Sequence, residues 1–137
     1  MRTDLSVRAV HVQDMRMEVH IRAKILTMDY PMTSSADPTP LEVLMASLAS
    51  CAGCTFHSVL TRKMGTRVKS LEVEVNAERR GEHPSGLTDI EIIYRLRGES
   101  LNSEVVERAL RMAEDQFCPV LDMLRPGTRI RSSWQMH

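Results

Sequence analysis

Three cysteines, Cys51, Cys54 and Cys118, are the side chains best suited to covalent chemistry in this sequence of 137 residues. Cys51-Ala52-Gly53-Cys54 has the spacing of a dithiol redox motif. Such a motif normally opens a helix, where the dipole lowers the first thiol's pKa, but here the helical pattern starts about three turns earlier. Residues three apart in a helix hold their Cβ atoms roughly 5–6 Å apart, and a disulfide needs about 3.5–4.5 Å. An intrahelical bridge therefore requires unwinding near Gly53. Zinc is a second option. Cys51, Cys54 and His57 follow at three-residue steps within roughly 120° of one helix face, and Cys118 is available as a fourth ligand, although structural zinc usually sits between short knuckle loops. A third reading makes the cysteines small buried hydrophobes, which suits Cys54 best. Cys118 immediately precedes Pro119, and a thiol facing the free N–H groups of a helix start is in a setting that favours thiolate.

The elements that must position these thiols follow from periodicity. Leu5–Val12 reads as a strand, with Gln13-Asp14 as a turn. From Met15 to Ile25 apolar and polar residues alternate strictly, which predicts one strand with a buried face and a wet face. The methionines in it are core filling. Asp29–Pro40 is a loop rich in Pro, Ser, Thr and Asp. Thr39-Pro40-Leu41-Glu42 then starts a helix, with Thr39 as cap, Pro40 in the first position and Glu42 three residues after the cap. The helix runs to about Lys63, with Gly65 as its stop. It is apolar or small almost all round, so it must be covered on most sides. A lone chain of this size has trouble surrounding it, which predicts a homodimer.

Leu71–Ala77 and Ile90–Leu96 alternate around a turn at Gly81–Gly86 and form an antiparallel hairpin. Asn102 caps a second helix, Cys118-Pro119 interrupts it and starts a short third one, and Thr128–Met136 is a last strand. The grouping of strands and helices gives an α+β class in a single domain, residues 1–137. His57 is read as a satisfied helix histidine, and Arg79-Arg80 as a charged strand end whose paired arginines, if near an interface, would attract an anionic substrate.

Composition narrows the function. Eighteen basic residues balance eighteen acidic ones, so the chain has no bulk attraction for nucleic acid or acidic membranes. No apolar run approaches the ~18 residues of a membrane span, and Met1-Arg2-Thr3-Asp4 lacks the apolar core of a signal peptide. An odd number of cysteines without such a signal points to a reducing compartment, the cytoplasm. Aromatic residues are only 4% of the chain while methionine reaches 10 residues, so the core is aliphatic, and oligomerisation would compensate for its modest area.

The stretch Pro38-Thr39-Pro40-Leu41-Glu42-Val43-Leu44-Met45-Ala46-Ser47-Leu48-Ala49-Ser50-Cys51 resembles the first signature of the OsmC/Ohr family, the osmotically inducible and organic hydroperoxide resistance proteins. Gln116-Phe117-Cys118-Pro119-Val120 resembles its second, and the likeness extends from about Met15 to Met136. The resemblance implies antiparallel sheets wrapped around long central helices in an intertwined homodimer, with each site at the subunit interface. It implies a thiol peroxidase in which Cys51 meets an organic hydroperoxide and Cys118 resolves the product as a disulfide. An external dithiol, such as a lipoyl group, would act as reductant, with no metal or bound cofactor. In the family an Arg and a Glu stand beside the reactive thiol. The family's Glu directly follows the helix proline, where this chain has Leu41. Glu42 lies one step on, either as a shifted partner or as the capping carboxylate of Thr39. Arg16 is the nearest candidate for the Arg, or a solvated strand residue. A non-catalytic dimeric module that binds a small ligand or senses redox state is the alternative on the same fold.

Overall fold

The computed structural model describes residues 5–30 and 36–137; Met1–Asp4 and the middle of the Asp29–Pro40 loop lie outside the described residues. The chain forms two compact units, residues 1–44 and 45–137.

In the first unit the alternating stretch folds into more strands than its periodicity predicts. β1 (Arg8–Gln13), β2 (Arg16–Ile21) and β3 (Lys24–Met28) form an antiparallel sheet in that order. The single strand expected over Met15–Ile25 is therefore a hairpin. Its reversal uses Arg22 at φ 54°, and the preceding one uses Asp14 at φ 48°. Arginine carries no turn signal, so a period-two count runs straight through the bend, although the register sets Val19 opposite Leu26 and His20 opposite Ile25 and so moves Ile25 to the other face. Val10, Val12, Ile21 and Ile25 remain exposed.

α1 (Pro40–Ser58) starts at the expected proline and continues as a π-helical turn, Val59–Lys63. Gly65, at φ 68°, follows it in the left-handed region that glycine tolerates best. Pro40–Lys63 is long and apolar enough to cross a membrane by length and composition, which a search for unbroken apolar runs does not register. A third of its most apolar stretch is nevertheless buried inside the chain. Leu48, Ala52, Phe56, Val59 and Leu60 enter the core of the second unit, whereas Ala46, Ser50, Cys54 and His57, spaced along one stripe, stay exposed.

β4 (Arg67–Arg79) and β5 (Leu87–Glu99) form the long hairpin. Ile90, Ile92, Tyr94 and Leu96 of β5 all point into the core, as strict alternation requires. α2 (Ser103–Met112) is capped by Asn102, whose Oδ1 accepts from the Val105 N–H at 2.9 Å. It passes into a second π turn, Ala113–Phe117, and then α3 (Pro119–Leu124). β6 (Arg129–Met136) returns beside β5, giving the order β4-β5-β6. β6 runs parallel to β5, Tyr94 opposite Trp134, so the second sheet is mixed where antiparallel pairing was expected. The helical connection carries the chain back to the start of β5, and this makes the parallel return possible. The class is α+β.

Candidate functional site: a pair of thiols

Cys51 sits mid-way along α1 and Cys118 at the junction between the second π turn and α3. The fold brings these distant positions together. The Cys118 thiol donates to the Cys51 sulfur at 3.5 Å. Cys118 is buried, 3% exposed, and Cys51 is half-buried. The backbone fixes both. Cys51 lies within an unbroken helix, and its carbonyl accepts from the Thr55 hydroxyl at 2.7 Å. The Cys118 N–H donates to the Ala113 carbonyl at 2.9 Å, closing the π turn, and Pro119 then restarts a helix.

The electrostatics of Cys118 oppose the sequence expectation. The N–H groups of Leu121 and Val120 do favour its thiolate, but burial outweighs them and pushes the thiol up to about 11. The adjacent Cys51 sulfur contributes to that rise. Cys118 therefore holds its proton at neutral pH, and Cys51 presents the accepting lone pair.

Glu42 and Thr39 form a reciprocal cap. The Thr39 N–H donates to Glu42 Oε1 at 2.9 Å, its hydroxyl to the same oxygen at 3.0 Å, and the Glu42 N–H to Thr39 Oγ1 at 3.3 Å. The Thr39 N–H lowers the Glu42 pKa. Arg16, at the start of β2, pairs through Nε with Asp29 at 3.4 Å and Asp37 at 3.8 Å. It is a strand residue engaged with two carboxylates.

Cys54 and His57 are exposed within the chain, so the buried position expected for Cys54 is corrected: it falls on the uncovered stripe of α1. The stripe and β4 border a groove of about 880 Å³, whose lining includes Ser50, Cys54, His57 and Leu71. A second hollow of about 560 Å³, between Cys54, Val59, Arg62, Lys63 and Phe117, lies further along α1. Lys63 Nζ stands 5.3 Å from the centre of the Phe117 ring. Among the described residues no three of His, Cys, Asp and Glu gather as metal ligands, so the zinc arrangement of Cys51, Cys54, His57 and Cys118 is not formed. Arg79 and Arg80 fold onto their own turn, bonding to Ser85 and to the Pro84 carbonyl.

Tyr94 and Glu114 carry no local signal in the sequence. The Tyr94 hydroxyl donates to Glu114 at 2.8 Å, and Ser132 donates to the same carboxylate oxygen at 2.5 Å. Burial, then the Glu114 charge, raises the Tyr94 pKa well above its ordinary value.

A mixed three-stranded sheet beneath a helical layer that joins two free thiols defines an α+β protein with a two-cysteine site. The family is identified by comparison: residues 33–133, more than half of the chain, match the family described as OsmC-like protein, and the chain belongs to it. Protein YhfA of Escherichia coli K12 is 28% identical over 99 residues, covering 72% of this chain and 73% of its own. The OsmC-like protein of Mycoplasma pneumoniae superposes with TM-score 0.88 at 19% identity, covering 99% of both chains. The organic hydroperoxide resistance protein OhrB of Bacillus subtilis superposes with TM-score 0.71 at 15% identity, covering 97% of this chain and 98% of its own. These two structures share the fold.

Proposed function

We propose that this protein is a cytoplasmic, homodimeric thiol peroxidase that reduces organic hydroperoxides. The observation that carries the reading is the 3.5 Å separation of the Cys51 and Cys118 sulfurs. Cys51, the more accessible sulfur, attacks the distal peroxide oxygen as its thiolate. The O–O bond breaks, the alkoxide leaves and takes a proton as the alcohol, and Cys51 becomes a sulfenic acid. Cys118 then attacks the Cys51 sulfur. A disulfide forms and the hydroxyl leaves as water with the Cys118 proton. An external dithiol of the lipoyl type reduces the disulfide by two exchanges and is itself oxidised to a disulfide. Glu42 serves the helix start in this scheme, and no step is assigned to Arg16. The name of the Bacillus protein, organic hydroperoxide resistance, supports the substrate class. The exposed stripe of α1 and the open apolar residues of the first sheet support the dimer.

The test is consumption of cumene hydroperoxide by purified protein with dihydrolipoamide. Cys51→Ser should abolish it, and Cys54→Ser should keep most of it. Full turnover in Cys51→Ser overturns the reading. The second reading, a non-catalytic binding or redox-sensing module, is favoured by the hollow between Val59, Arg62, Lys63 and Phe117. It requires ligand retention, or reversible thiol oxidation, without peroxide turnover.

A further inference from the structure

We infer that Tyr94 and Glu114 are positioning residues for the resolving thiol, holding the π turn that aims Cys118 at Cys51. The inference rests on the peroxidase reading and adds to it residues outside the sulfur pair.

The two sulfurs are already at the separation of a near-attack arrangement, and bond formation must close roughly a further 1.5 Å to reach a disulfide length. Cys118 is the last point of the π turn, fixed by the Cys118 N–H to Ala113 bond at one end. Within that turn Glu114 is the residue tied to the sheet. Its carboxylate takes the Tyr94 hydroxyl from β5 and the Ser132 hydroxyl from β6. Tyr94 has no freedom to follow a shifted turn, because it is fully buried and its ring packs edge-on against Phe56 at 5.0 Å and 67°. Phe56 belongs to α1, five residues beyond Cys51. One ring thus touches the helix that carries the first thiol while its hydroxyl fixes the turn that carries the second. Without that hydroxyl, Glu114 keeps, among the described residues, only Ser132, which is exposed, and the turn can slide relative to α1. A phenol–carboxylate bond contributes on the order of a hydrogen bond to a charged group, enough to matter for a step that depends on sub-ångström placement.

The experiment separates the two chemical steps. Wild type, Tyr94→Phe and Glu114→Gln are each mixed with one equivalent of cumene hydroperoxide without reductant. Loss of the Cys51 thiol gives the first step; the intact mass, two hydrogens lower, gives disulfide closure; dimedone traps the sulfenic acid. Tyr94→Phe should leave the first step nearly unchanged, slow closure by about tenfold, the fold-change expected for losing one such hydrogen bond, and accumulate dimedone adduct at Cys51. Glu114→Gln keeps the side-chain shape and should fall between Tyr94→Phe and wild type. Closure at the wild-type rate in Tyr94→Phe overturns the inference. Equal slowing of both steps also overturns it, because that is the mark of general loosening. If Tyr94→Phe does not fold, Glu114→Gln alone decides, by the same ratio of closure to first-step rate. Failure of wild type to oxidise Cys51 at all would instead overturn the peroxidase reading.

Discussion

The hydrogen bond between Cys118 and Cys51 has a direction: the buried thiol donates and the half-buried sulfur accepts. The pair is therefore unequal before any oxidant arrives. Burial keeps the proton on Cys118, and the sulfur left with a free lone pair is also the one within reach of solvent. On the peroxidase reading proposed above, this asymmetry supports Cys51 as the first sulfur to react.

The order is testable by substitution. Cys51→Ser should remove peroxide-dependent oxidation, whereas Cys118→Ser should still consume one equivalent and stop at a sulfenic acid on Cys51. Mass spectrometry after dimedone treatment reads both outcomes. A dimedone adduct at Cys118 in the Cys51→Ser protein would reverse the assignment.

Closure should depend steeply on pH. With the Cys118 thiol pushed up to about 11, its thiolate fraction rises about tenfold per pH unit through the neutral range. In single-turnover measurements the closure rate should climb with a slope near one and level off at or below about pH 11, because oxidation of Cys51 removes part of what raises the value. An ordinary thiol would level off near pH 8.5.

The cap at the start of α1 predicts a stability effect separate from chemistry. Thr39→Ala should cost about 1 kcal/mol in urea unfolding. Glu42 has its pKa lowered by Thr39, so its contribution is present above the ordinary carboxylate pKa and lost as pH falls through the lowered value. Glu42→Gln should flatten that acid dependence and leave the rate of Cys51 oxidation unchanged. A large fall in that rate would make Glu42 part of the thiol's activation.

The uncovered stripe Ala46, Ser50, Cys54 and His57 predicts a dimer in solution. Sedimentation equilibrium should give twice the chain mass at micromolar concentration. Ser50→Arg, placed on the stripe, should shift the protein toward monomer with its far-ultraviolet circular dichroism retained.

Much of this architecture was legible because local signals mark it. Pro40 opens α1, Asn102 caps α2, and β5 alternates without fault. The hairpin turn at Arg22 was hidden because its positive φ falls on a residue with no turn preference. The parallel seat of β6 was hidden because register between remote strands is set by the helical connection. At the site, family resemblance supplied the pairing of Cys51 with Cys118, which residue spacing could not. The environment of Cys118 departs from the sequence expectation because Pro119 marks the helix start locally, while the burial that dominates the thiol comes from the packed core. Tyr94 looked like one more inward residue of a strand, and only the fold shows its hydroxyl bonded to a carboxylate 20 residues away.

Ala113–Phe117 is wound as a π turn. A π turn accommodates one residue more than an α turn. Deleting a single residue there would let the helix close with an ordinary α turn onto the same Ala113 carbonyl, and the position that carries the thiol would keep nearly the same side of the axis. The segment can thus absorb a one-residue change in length without separating the sulfurs, because what places Cys118 is the carbonyl that its N–H reaches and not the number of residues in between.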